Sequence, residues 1–243
     1  MSRCKHINPM KNSSSTKIVM IALAAGALFL SANTASAAAR KQHTRTRSGT
    51  YQTSSGKSGT FSETTTKSAG QKQTDATWTN QDGKTGTHES TRTFDKATGT
   101  GTTASSTTLP DGKTASREGT ITKTGDNTYE SKGTITGTNG KTSTYDAVTT
   151  KSADGRTTQG TITGPNGKQA TVASSTEKLG AGEVERTTTI TGPNGKTEQK
   201  AIDTKVNPDG SGTRTVEITK RDGTTETRTQ TFTANPTSTP ASN

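Results

Sequence analysis

The chain has 243 residues, with 31 Lys+Arg against 20 Asp+Glu, a formal net charge of +11 and only 22% hydrophobic residues. Leu, Ile, Val and Phe together fall well under a fifth of it, a composition that excludes an ordinary globular enzyme core. Its one cysteine, Cys4, excludes a disulfide framework.

Residues 1–37 read as a cleavable export signal. Arg3, Lys5, Lys11 and Lys17 precede an apolar run from Ile18 to Leu30, and small residues follow. Thirteen residues are too few for a helix that must cross roughly 30 Å of hydrocarbon, which takes about 20. Ala35 and Ala37 form the A-x-A pattern that a signal peptidase accepts. The reading predicts an exported protein, destined for periplasm, cell surface or medium, with no stable membrane span after cleavage. Cleavage removes Cys4 and every methionine, and leaves 27 Lys+Arg against 20 Asp+Glu.

Residues 38–48 follow as a basic arm carrying Arg40, Lys41, Arg45 and Arg47. From 49 to 232 the chain repeats itself seven times. The repeat is marked by Gly56, Gly83, Gly112, Gly140, Gly167, Gly195 and Gly223, spaced 27 to 29 residues apart. Midway between them lies a second set of turn signals, such as Gly125-Asp126-Asn127 and Pro208-Asp209-Gly210. The segments between turns are about 10 residues long and rich in threonine, whose β-branched side chain suits a pleated strand. Asn-Gly and Asp-Gly between such segments are hairpin signals. Residues 233–243, rich in Ser, Thr and Pro, read as a disordered tail.

Pro165-Asn166-Gly167 fixes a register. A type I turn followed by a left-handed glycine pairs Gly164 with Lys168, and so sets Ile162 against Ala170 and Gly160 against Val172. By the same count Gly133 faces Tyr145, Ile135 faces Ser143, Gly49 faces Phe61 and Tyr51 faces Gly59. Large side chains thus oppose small ones, and such cross-strand pairs stabilise a sheet. The predicted fold is all-β, with tandem hairpin repeats of about 28 residues forming an extended antiparallel meander. The alternatives are a β-solenoid and a largely disordered chain. A solenoid needs apolar columns on both sides. Tyr51, Trp78, Ile135, Ile162, Ile190 and Ile218 supply one, but the facing positions mix Phe61, His88, Arg117, Tyr145, Val172, Lys200 and Arg228. A transmembrane barrel is set aside because no strand carries a lipid-facing apolar alternation.

Gly-Lys-Thr recurs after four of the turns, but the preceding glycine of a phosphate loop is absent and a strand follows rather than a helix. After residue 37 the chain holds two histidines, His43 and His88, and no carboxylate pair stands out, so neither catalysis nor a cofactor is expected. Lys57, Lys84, Lys113, Lys141, Lys168 and Lys196 each follow a turn glycine and would recur roughly every 10 Å along one edge of a meander. With Arg40, Lys41, Arg45 and Arg47 they are candidate contacts for polyanions such as acidic polysaccharide, lipopolysaccharide or extracellular DNA. The leading expectation is a non-catalytic structural or adhesive element at the cell surface or in the matrix; polyanion binding is the alternative. Thr-Ile-Thr at 120–122, 134–136, 161–163 and 189–191 adds an ice-binding threonine array as a further reading. Two open edge strands in a threonine-rich meander would also favour self-association.

Overall fold

The computed structural model describes residues 42–237. Fourteen strands, β1 (His43–Thr53) to β14 (Thr225–Thr237), follow one another in an antiparallel meander, with no helix among the described residues. Seven hairpins carry the repeat: β1–β2 (to Ser68), β3–β4 (Gln71–Thr93), β5–β6 (Thr100–Gly125), β7–β8 (Thr128–Lys151), β9–β10 (Gly155–Gly180), β11–β12 (Glu183–Val206) and β13–β14 (Gly212–Thr237). Their turns close as the sequence requires. The Gly164 N–H donates to the Lys168 carbonyl at 2.9 Å, and Gly167 takes φ +74. The predicted registers hold at Ile162–Ala170, Gly160–Val172, Gly133–Tyr145, Ile135–Ser143, Gly49–Phe61 and Tyr51–Gly59.

The meander is not an open ribbon: β14 pairs with β1 and the sheet closes into a barrel. Closure follows from the stagger between hairpins. Ile162 faces Ala170 within its own hairpin, but it faces Tyr145 rather than Ser143 in the preceding one. The same two-residue step recurs at Trp78–Phe61, Ile190–Val172 and Ile218–Lys200. A repeated stagger tilts every strand in the same sense, which is the shear that curls a sheet onto itself. The closing seam joins two strands that no turn connects to each other. β1 begins inside the expected basic arm, and β14 runs five residues into the expected tail; the two pair from Thr44–Thr237 to Thr53–Arg228. The two edges on which self-association was predicted are therefore each other's partners.

Alternation then separates two faces. Threonines dominate the outside, where pairs such as Thr136–Thr142 and Thr93–Thr102 hydrogen-bond across strands at 3.2 and 2.8 Å. This threonine surface wraps a convex cylinder and is not the flat array of the ice-binding reading. Both apolar and mixed columns of the repeat point inward, one ring below the other. Large rings lie over the glycines of neighbouring strands: Trp78 over Gly86, Tyr51 over Gly59, and Tyr145 across Gly133 to Gly119. Tyr51, Ile121, Tyr145, Ile202, Val216 and Phe232 are buried. Eight strands enclose just enough space for their own side chains, and fourteen leave a lumen. That is why mixed residue classes are tolerated on the inner face.

Candidate functional site

Hairpin connectivity places all seven repeat turns at one mouth of the barrel. Lys57, Lys84, Lys113, Lys141, Lys168 and Lys196 are therefore brought together as an exposed ring, with Thr224 in the seventh place. The lysines are spread around a rim rather than along a straight edge. Lys113 is engaged by Asp111 at 2.8 Å, which holds the lysine pKa above and the carboxyl pKa below their usual ranges. Arg45 and Arg47 do not join this ring. They share the inward parity of β1, and the Arg47 guanidinium stacks over Phe232 at 4.9 Å, with Glu63 opposite on β2. Arg40 and Lys41 lie outside the described residues, as do Ala35, Ala37 and the export segment.

The larger cationic feature is the lumen. Strand parity turns Lys72, Arg92, Arg117, Arg156, Arg186, Lys200, Arg214 and Arg228 inward with the apolar side chains. It turns Asp75, Glu89, Glu118, Asp146, Glu185 and Glu217 outward with the threonines. Among the described residues only three carboxylates share the inward parity. Glu198 and Glu226 sit at the lysine-ringed mouth, each 3.8 Å from a turn cation, Arg221 and Lys220 respectively. That leaves Glu63 deeper inside.

Four guanidiniums converge from β4, β6, β9 and β11. Burial lowers the pKa of Arg92, and Arg156 and Arg117 lower it further. Burial pushes Arg186 down to about 10, with Arg156, Arg214 and Arg117 acting in the same direction. Cation–π stacking holds some of these groups in place: Arg117 lies 4.0 Å from the Tyr145 ring and Arg228 4.2 Å from Tyr51. The Nε atoms of Arg47, Arg117 and Arg228 are buried without a protein hydrogen-bond acceptor. Cations drawn from water and packed against one another are costly unless an anion joins them. A cavity of about 250 Å³ lies among these groups, between β3 and β12. His88 lines it; burial lowers its pKa, and its Nδ1 is 2.8 Å from the Thr107 hydroxyl.

Lys200 is the most responsive of the interior groups. Burial, then Arg214, Arg186 and Arg228, push its pKa down to about 8 from 10.5. Between those values the unfolded chain binds the proton that the folded chain has released, so stability rises with pH across this window. The urea midpoint is accordingly expected to climb from pH 8 to about 10.5, and to climb less in Lys200→Met. Equal slopes in the two proteins would remove Lys200 as the source.

The polyanion contacts expected from the sequence lie on the turns and the arm, and the inward-facing cations of the strands are not among them apart from Arg45 and Arg47. A signal was present: on β6, β9, β11 and β13 the arginine alternates in phase with isoleucine, and on β3, β4, β6, β8, β11 and β13 a carboxylate alternates in phase with threonine. It has meaning only once the two faces are known to be an inside and an outside.

No family model matches the chain, and no curated protein does. A solved structure described as "Asymmetric conductivity of engineered proteins" is similar at 8% identity, over 80% of this chain and 99% of that one, with a TM-score of 0.47. A likeness at that level bears on neither fold nor function.

Proposed function

We propose that the protein is an exported, non-catalytic barrel that binds an anionic ligand inside its lumen. The observation that carries this reading is the sorting of charge, with arginines facing a confined interior and carboxylates facing out. In a space walled by protein, cations of one sign focus their field and raise the local anion concentration. The lysine ring at one mouth extends that field outward and would speed capture. Export rests on the basic, apolar and small-residue order of the first 37 residues. The structural or adhesive reading supposed an extended meander, whereas the closed sheet has an interior, which is preferred as the seat of function.

Calorimetry of residues 38–243 with tripolyphosphate tests the proposal. Affinity is expected to fall at least tenfold from 50 to 300 mM salt, in ~10 Å screening conditions near 0.1 M. It should also fall at least tenfold in the triple variant Arg92→Gln, Arg156→Gln, Arg186→Gln. If that variant binds normally while replacement of the six rim lysines by Gln abolishes binding, the ligand sits on the rim and the lumen proposal fails.

A further inference from the structure

The walls of the lumen are not uniform along the barrel axis. Next to the lysine-ringed mouth, Ile135, Tyr145, Ile162, Val172 and Ile190 form a continuous apolar wall across β7 to β11. Tyr145 is paired directly with Ile162, and Val172 with Ile190. All five line the cavity. Further along the same strands the inward positions are hydroxyls: Ser131, Thr149, Thr158, Ser174 and Thr188. Arg156 and the directly opposite Lys151 come next, towards the opposite mouth, and Arg92 on β4 lies towards that same mouth. Along β7 to β11 the inward order is therefore apolar, hydroxyl, cationic, and the neighbouring β6 sets one cation at the apolar level, Arg117, opposite Ile135 and stacked on Tyr145.

An inorganic polyanion makes no use of the apolar wall. Ile135, Ile162, Val172 and Ile190 are half-buried and keep part of their surface open, while Tyr145 is buried beside them, and covering such open surface stabilises a complex by about 25 cal/mol per Å². A pocket of mainly apolar lining with a few convergent charged groups is the usual form of a small-molecule site. Resting on the anion-binding reading above, we infer that the lumen takes a single-chain anionic amphiphile, with its chain against Ile135, Tyr145, Ile162, Val172 and Ile190 and its headgroup at Arg92 and Arg156. The phosphate or carboxylate then supplies charged acceptors to Arg92 and Arg156, whose burial sets them among other cations. The hydroxyl band between receives the polar neck of the molecule.

Binding of decyl phosphate, decanoate, inorganic phosphate and decyltrimethylammonium, each below micelle formation, tests this assignment on residues 38–243. Decyl phosphate is expected to bind at least tenfold more tightly than inorganic phosphate, and the cationic amphiphile not at all. A comparable affinity of decanoate would assign a general anionic headgroup; binding of decyl phosphate alone would assign a phosphate. Ile162→Thr keeps a β-branched residue in the strand. It should weaken decyl phosphate at least fivefold and leave inorganic phosphate and the circular dichroism unchanged. Arg156→Gln should weaken both anions. Val172→Thr repeats the test should Ile162→Thr fail to fold. Equal affinity for decyl phosphate and inorganic phosphate would overturn the amphiphile assignment and leave anion binding standing. If no anion binds, or the cationic amphiphile binds as well as decyl phosphate, both proposals fall.

Discussion

Deletion of residues 225–243 is expected to produce a mixture of oligomers larger than the intact protein, without a cooperative unfolding transition. β14 is the strand that closes the barrel, paired with β1 on one side and β13 on the other. Its loss removes two ladders from a fold with a small apolar core. A net hydrogen bond is worth about 1 kcal/mol, and the stability of a whole domain is of the order of 5–15 kcal/mol. Two ladders are a large part of that. The deletion also frees the edges of β1 and β13, and unpaired edges recruit other chains. Light scattering at high concentration and thermal unfolding by circular dichroism check the result. A truncated chain that stays monomeric and unfolds at the same temperature would contradict the closed architecture.

The second large effect concerns Trp78 and Gly86, directly paired on β3 and β4. A Cβ on Gly86 would meet Cζ2, Cε2 and Nε1 of Trp78 as its three nearest neighbours. Gly86→Val alone is expected to cost about 1–3 kcal/mol by overpacking. Trp78→Ala alone should cost about 3 kcal/mol through the lost ring. Together the two should cost less than their sum by at least about 1 kcal/mol, because removal of the ring relieves the clash that valine creates. In a domain of this size 1 kcal/mol moves the melting temperature by roughly 2–4 °C, so a thermal-shift double-mutant cycle resolves the coupling. Strict additivity would mean that the indole does not lie over Gly86.

The hairpins were legible because their information is local. Pro165, Asn166 and Gly167 set a turn, the turn sets Gly164 against Lys168, and period-two alternation carries the register outward to Ile162 and Ala170. Nothing local joins β1 to β14. His43–Ser48 looked like a basic arm and Thr233–Thr237 like a tail because each lacks a turn that links it to its partner. The site was obscured for a related reason. Arg117, Lys200 and Arg228 counted against a solenoid, whose narrow interior excludes them, and the same residues fit the wide lumen of a fourteen-stranded barrel.

The sequence by itself determined the strands, the turns, the pairing within each hairpin and the opposition of large rings to glycines. These depend on backbone preferences and on neighbours a few residues away. Only the tertiary structure decided that the accumulated stagger closes the sheet, that the six turn lysines form a ring, and that one strand face becomes an interior. Those properties belong to fourteen strands acting together, and the sign of the charge inside follows from closure.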